Sequence, residues 1–272
     1  MPAAPLIHAT AVIGPDAILT PDVTVGPFAV IDGPVTLGAG CKVGPHAHIL
    51  GRVTFGIKND IGSGTVIGGP PQHRAYNNED TGVVIGDNNV FREHVTIHRG
   101  MPNAKVMTCI GSNNYFMAGS HVAHDCTVGN NCNFANAALI AGHVTVDDGV
   151  FLSGNTAVHQ NCHIGRLALL SGVSAATQDI PPFWMVQARN MVVGINVIGM
   201  RRAGIPAVEI AAVRAAFKLL YTERLPIREA TLRMEAKYNH IPAVMEIVAF
   251  IRTSKRGVPG AHQFRGEDRA AA

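Results

Sequence analysis

Charged and aromatic side chains are both scarce in this chain of 272 residues. Asp, Glu, Lys and Arg make up 15% of it and Phe, Trp and Tyr 6%, with a single tryptophan. So little charge, beside 47% hydrophobic residues, argues against disorder. So few rings argue against an ordinary aromatic-filled core and for a backbone-dense, turn-rich one that uses the 29 glycines. No run approaches the roughly 20 apolar residues that span a bilayer, and "MPAAPLIHAT" has no basic stretch leading into an apolar one. A cytoplasmic protein without a transmembrane segment is therefore expected. The five cysteines (Cys41, Cys109, Cys126, Cys132 and Cys162) contain no CxxC pair. They read as small buried hydrophobes, not as a zinc ribbon or a disulfide framework.

Charge is also uneven. From residue 201 onward 13 Lys and Arg face 7 Asp and Glu, a net of +6, against −3 for residues 1–200. A basic C-terminal third points to an acidic partner or an anionic ligand.

What the chain does have is a period. Every sixth residue from Ile7 to Ile67 is large and apolar, the register resumes at Ile85, Phe91 and Ile97, and after a one-residue shift it runs from Ile110 to Ala176. A six-residue period matches neither a helix nor an alternating strand. It matches short strands separated by tight turns, and the glycine that often follows, as in "VGPFAV" and "IGSGTV", reads as the residue that tolerates positive φ there. This hexapeptide repeat resembles that of the hexapeptide acyltransferases. The resemblance implies a mainly β fold, a left-handed parallel β-helix with three hexads to a coil, so that 26 hexads stack as about nine coils. The β-helix is expected over residues 1–190, with excursions at 68–84 and 98–109, where binding residues gather on such scaffolds. A C-terminal α-helical domain is expected over 191–257. Pro206 opens its first helix, Ile210, Val213, Phe217 and Leu220 share one face, "IREATLRMEAKY" and "PAVMEIVAFIRTSKRG" form two more, and Gly257 stops the last. Residues 258–272 read as a flexible tail.

Three histidines stand out in "SHVAHDCTVGNNCNFANAALIAGHVTVDDG" (120–149). A step of one coil, three hexads, carries His124 to Gly142 and then Gln160, and Asp125 to His143 and then Asn161. Coils lie about 4.8 Å apart, so His124, Asp125, His143 and Gln160, joined by His121 and His159, should form one polar cluster on one edge. An imidazole beside a carboxylate suits proton transfer from a hydroxyl, and Gly142 leaves a backbone N–H approachable as an oxyanion donor. Zinc is the competing reading, because γ-class carbonic anhydrases hold a His₃ zinc between β-helix subunits. Their H-x₄-H pair is absent, since the spacings here are H-x₂-H (121, 124) and H-x₃-H (159, 163). No metal is expected. A non-catalytic, sugar-binding or structural β-helix is the other class.

The segments "VTIHRG" (95–100), "HVAHDCTVGN" (121–130), "LIAGHVTVDD" (139–148), "TAVHQ" (156–160), "QDIPPF" (178–183) and "GMRRAG" (199–204) together resemble the acyl-[acyl-carrier-protein]–UDP-N-acetylglucosamine O-acyltransferases. The resemblance implies an enzyme that starts lipid A synthesis as a homotrimer, with acyl carrier protein and a UDP-amino sugar as partners and no nucleic acid. It implies no cofactor beyond the phosphopantetheine that carries the acyl donor. His124 becomes the general base, Asp125 its orienting partner and Gly142 the oxyanion donor. Gln72, His73, His98, His121, His143, His159, Gln160, Asn196 and Arg202 become substrate contacts, and Leu169, Gly172 and Asn190 set acyl-chain length. The chain departs from the pattern at four places. His73 stands for an aspartate, Ala75 for a lysine, Ile198 for a glutamate and Ala203 for a second arginine. An acceptor with a 3-amino group or another modification is therefore the alternative to UDP-N-acetylglucosamine.

Overall fold

The computed structural model describes residues 6–260. Every hexad residue of the sequence lies in a short strand, from β1 (Leu6–Ile7) to β26 (Ala175–Ala176). With two later strands added to the first, they form three sheets of 11, 9 and 8 strands, parallel but for that last pair, here faces 1, 2 and 3 of a triangular prism. A coil visits the faces in order, and up to the last coil each strand pairs with the one three places on, as in Leu6↔Thr24 and Thr145↔His163. The fold is a left-handed parallel β-helix.

The hexad side chain of each short strand points inward, and residues such as Ile31, Leu37, Ile49 and Phe134 are fully buried. Phe91, Phe116 and Phe134 stack inside face 1 with ring centres 5.0 and 4.7 Å apart. Beside them runs a buried amide ladder. Asn59 Oδ1 accepts from Asn89 Nδ2 at 2.9 Å, Asn89 Oδ1 from the Asn114 N–H at 2.9 Å, and Asn114 Oδ1 from the Cys132 N–H at 2.7 Å. These amides satisfy backbone groups that the turns would otherwise leave unpaired inside the prism.

The glycines do a different job from the one expected. Gly111, directly after a strand, is not left-handed, but a Cβ on it would lie 2.5 Å from the Gly129 carbonyl oxygen of the next coil. Close backbone stacking requires glycine there. Positive φ falls two residues later, mostly on other residues, such as Lys58, Asn113 and Asn131 at +56°, +60° and +57°.

Both excursions leave by the same edge, between faces 2 and 3. The first joins β11 (Val66–Gly69) to β12 (Gly82–Ile85) and the second joins β14 (Thr96–His98) to β15 (Met107–Ile110). Across the first, Asp60 pairs with Val90, two hexads beyond the three that separate paired strands elsewhere. The excess is a whole number of hexads, so the apolar register stays in phase. Across the second, Thr96 pairs with His121, one hexad and one further residue beyond the usual three, which produces the one-residue shift.

Face 1 continues past residue 190. β27 (Trp184–Gln187) pairs antiparallel with β28 (Met191–Ile195), and a short helix, α1 (Val197–Arg202), follows. Three helices come next: α2 (Ala207–Tyr221), α3 (Ile227–Tyr238) and α4 (Pro242–Thr253), with Ile210, Val213, Phe217 and Leu220 all inward on α2. Gly257 does not stop α4. The helix ends at Thr253 because Ser254 is extended, and Ser254 Oγ (2.7 Å) and the Lys255 N–H (3.1 Å) turn toward the buried Asp179 carboxylate. Arg166 adds a two-pronged bond to Glu246 on α4, at 2.9 and 2.6 Å. Packing also persists beyond 257, where Val258 is buried and Tyr221 Oη donates to the Pro259 carbonyl at 2.8 Å. The rest of the expected tail, 261–272, lies outside the described residues. Among the described residues no helix is long and apolar enough to cross a membrane.

Gly111→Ala is expected to cost about 1–3 kcal/mol of stability through overpacking. Asn113→Gly, two residues on, should change it by no more than about 0.5 kcal/mol, since its φ already suits glycine. Thermal unfolding of both variants checks this, and equal losses would show that backbone conformation, not Cβ volume, governs these turns.

Candidate active site

The turn between β17 (His121–Val122) and β18 (Thr127–Val128) lies on the edge that emits both excursions, and it holds His124 and Asp125. Asp125 occupies the left-handed position, φ +60°, which Asp, Asn and His enter more readily than most residues. Its side chain is fully buried. Oδ2 accepts from His124 Nδ1 at 2.8 Å. Oδ1 accepts from the backbone N–H of Met101 at 3.1 Å and of Lys105 at 3.0 Å, both in the second excursion. Thr108 Oγ1 accepts the Asp125 N–H at 2.9 Å. The carboxylate is thus locked, and it holds the proton of a neutral His124 on Nδ1, leaving the lone pair on Nε2.

One coil on, Gly142 packs against that ring. A Cβ added to Gly142 would lie 2.7 Å from His124 Nε2, so any larger residue would displace the base. Among the described residues no acceptor takes the Gly142 N–H. His143 follows at φ +62°, in the column of Asp125 and Asn161, with its ring centre 5.1 Å from that of His124. The first excursion brings His73 to 5.9 Å from His124, and His98 stands 5.1 Å from His121. Five imidazoles therefore gather about His124, and two of them, His124 at 2.8 Å and His143 at 3.9 Å, meet the buried carboxylate itself.

The environment disfavours the charged form of three of these rings. Burial, then the neighbouring His98 and His124, pushes His121 down to about 4. Burial also lowers His98 and His143, though Asp125 opposes the shift at His143. Burial raises the Cys126 and Cys132 thiols to about 12, so neither is a nucleophile near neutral pH.

The family model described as UDP N-acetylglucosamine O-acyltransferase, domain 2, matches residues 179–259, and the bacterial transferase hexapeptide model matches 20–51 and 110–142. The chain is 42% identical over 259 residues to the acyl-[acyl-carrier-protein]–UDP-N-acetylglucosamine O-acyltransferase of Herminiimonas arsenicoxydans, covering 93% of this chain and 98% of that protein. With the enzyme of the same name from Stenotrophomonas maltophilia the identity is 43% over 255 residues, covering 93% and 97%. The chain belongs to the UDP-N-acetylglucosamine O-acyltransferase family. Among solved structures, the Francisella novicida UDP-N-acetylglucosamine acyltransferase superposes with a TM-score of 0.89 at 33% identity, covering 98% of this chain and 99% of that one. The Campylobacter jejuni enzyme superposes with 0.88 at 33%, covering 93% and 99%.

Not every expected family residue meets the dyad within one chain. His159 and Gln160 lie on the same edge two coils beyond the dyad, both exposed, and Gln72 is exposed on the first excursion. Asn196 and Arg202 lie elsewhere, in a cleft of about 1000 Å³ against face 1 that Leu169 also lines. Face 1 is opposite the edge that bears His124. The Asn196 amide caps α1, accepting from the Gly199 N–H at 2.9 Å, and donates to the Leu167 carbonyl at 2.9 Å. Gly172 is exposed at a turn. Asn190 is buried, and its amide is spent on Thr177, whose N–H it accepts at 2.8 Å and whose Oγ1 it meets at 2.6 Å.

Sequence reading missed Met101, Lys105 and Thr108, which brace Asp125 through two backbone N–H groups and a hydroxyl. Their position in an excursion was the one signal available. His124, Asp125 and His143 hold candidate ligand atoms within 4.8 Å of one another, the only such group among the described residues. Asp125 already carries three donors, which suits an acid–base dyad.

The depressed histidines couple stability to pH. The unfolded chain binds a proton at His121 near its ordinary 6.5, whereas the folded chain does so only near 4. The stability His121 contributes is therefore present above pH 6.5, falls as the pH drops from 6.5 toward 4, and is level below that. Urea unfolding at pH 7 and pH 5 should show the loss, and His121→Gln should flatten it. An unchanged slope in the variant would assign the effect to other groups.

Proposed function

We propose that the protein transfers a (3-hydroxy)acyl chain from acyl carrier protein to the 3-hydroxyl of UDP-N-acetylglucosamine, the first step of lipid A biosynthesis. The His124–Asp125 bond, with Gly142 against the imidazole, carries this reading. His124 Nε2 takes the proton of the 3-hydroxyl as the oxygen attacks the thioester carbonyl carbon. Negative charge gathers on the carbonyl oxygen, where the Gly142 N–H is free to donate to it. Asp125 stabilises the imidazolium and keeps its ring in place. Collapse breaks the C–S bond, and the departing phosphopantetheine thiolate receives the proton from His124. No acyl-enzyme and no metal enter the cycle.

The separation of the two half-sites supports a homotrimer, in which the face 1 cleft of one subunit would meet the histidine edge of the next. Asn196 and Arg202 would then reach the nucleotide, with the guanidinium fork suited to a phosphate. The basic C-terminal third would receive the acidic carrier protein, and a cytoplasmic location fits a soluble acyl donor.

His124→Ala should lower turnover by about 10²–10⁴ with folding intact by circular dichroism, and the wild-type rate should rise with pH as an imidazole loses its proton. Wild-type turnover in His124→Ala would end the assignment. Dialysis against EDTA should leave the rate unchanged, and its loss would restore the zinc reading. A preference of about tenfold or more for the 3-amino analogue would move the acceptor to that sugar.

Sedimentation at micromolar concentration should give a mass three times that of the chain, and a fully active monomer would refute the shared site.

A further inference from the structure

Arg99 lies where the two excursions meet, between β14 and the loop that braces Asp125. Its Nε donates to Tyr76 Oη at 2.8 Å and its Nη1 to the Gly68 carbonyl at 3.1 Å. The guanidinium carbon is 5.5 Å from the centre of the Tyr76 ring, a distance at which the ring face attracts a cation. The Arg99 N–H also donates to the Gly69 carbonyl at 3.0 Å. The coil two before it makes room, because Gly51, at φ +73°, is where a Cβ would overlap the guanidinium. No carboxylate pairs with Arg99 among the described residues, so its bonding is spent on the first excursion.

That excursion hangs from Tyr76. Tyr76 Oη passes its own proton to the Glu79 carbonyl at 2.8 Å, and the Tyr76 N–H donates to the His73 carbonyl at 3.1 Å. The Ala75 N–H donates to His73 Nδ1 at 3.2 Å, and the His73 ring faces His124. In the other direction along the chain, Arg99 leads within two residues to Met101, whose N–H holds the Asp125 carboxylate. One guanidinium therefore ties the turn that overhangs the base to the loop that fixes the base's partner.

We propose that Arg99 is a positioning residue for the acceptor sugar, setting the Gln72–His73 turn over His124 through Tyr76. The inference rests on the acyl-transfer reading above. Lysine cannot replace it, because a single ammonium lacks the planar fork that reaches Tyr76 Oη and the Gly68 carbonyl together. The Arg99 side chain reaches the first excursion and not the nucleotide end, since Asn196 and Arg202 are carried by a different face.

Binding and turnover with the full-length chain test this. Arg99→Lys should raise KM for UDP-N-acetylglucosamine about tenfold or more, while the calorimetric affinity for UDP alone stays within about twofold. Tyr76→Phe should act in the same direction, and the double variant should be no worse than Arg99→Lys, the mark of two residues in one linkage. An unchanged KM in Arg99→Lys, additive losses, or equal weakening of UDP and UDP-N-acetylglucosamine would each overturn the assignment. Absence of transfer by the wild-type chain in the same assay would instead overturn the reaction itself.

Discussion

The His143 N–H donates to the His124 carbonyl at 3.0 Å, and one coil on the Asn161 N–H donates to the Gly142 carbonyl at 3.1 Å. The active edge depends on this ladder between successive turns. It holds Gly142 against the imidazole and puts His143 beside it, with a tolerance set by backbone hydrogen bonds and not by side-chain packing. A loop-built site would have to order each of these groups separately, at a conformational cost for each. Here the order comes with the scaffold, because every coil is already stacked on the one before it.

The ladder also determines which residue types can stand on the edge. Most coils turn this corner with one residue in the left-handed region. Upstream coils use Gly33, Gly51 and Gly68, while the later ones use Asp125, His143 and Asn161. A non-glycine residue there costs about 1–2 kcal/mol, less for Asp, Asn and His. The same backbone demand thus admits a carboxylate and an imidazole where chemistry is done. Two insertions leave from this corner without breaking the stack, because they start and end at paired strands. The second supplies N–H groups to Asp125, and the first brings His73 over His124. Burial disfavours the charged forms of His121 and His98, which limits the positive charge that would repel a proton on the base.

Much of this could be read from residue order. The six-residue apolar period placed all the strands of the coils, because an inward side chain recurs once per hexad whatever the turn between. Phase arithmetic at three hexads per coil put His124 beside Gly142 and Asp125 beside His143, since coil pitch is constant in this part of the chain. The turn glycines were less legible. Their place after each strand reads equally well as a φ requirement or as a steric one, and only the distance from Gly111 to the Gly129 carbonyl distinguishes the two. Gly257 was misread for a related reason, because the end of α4 is decided by Asp179, far earlier in the chain.

By itself, then, the sequence determined the repeat, the succession of short strands, the helical C-terminal segments and the pairing of His124 with Asp125. All of these follow from spacing along the chain at a constant pitch. Tertiary structure alone decided the rest: that both excursions emerge on the histidine edge, that Met101 and Lys105 brace Asp125, and that Arg99 anchors Tyr76. It also placed the Asn196 cleft on the face opposite the dyad. These relations join residues whose separation is set by two insertions of unequal length and by the direction in which each corner points, neither of which a periodic pattern encodes.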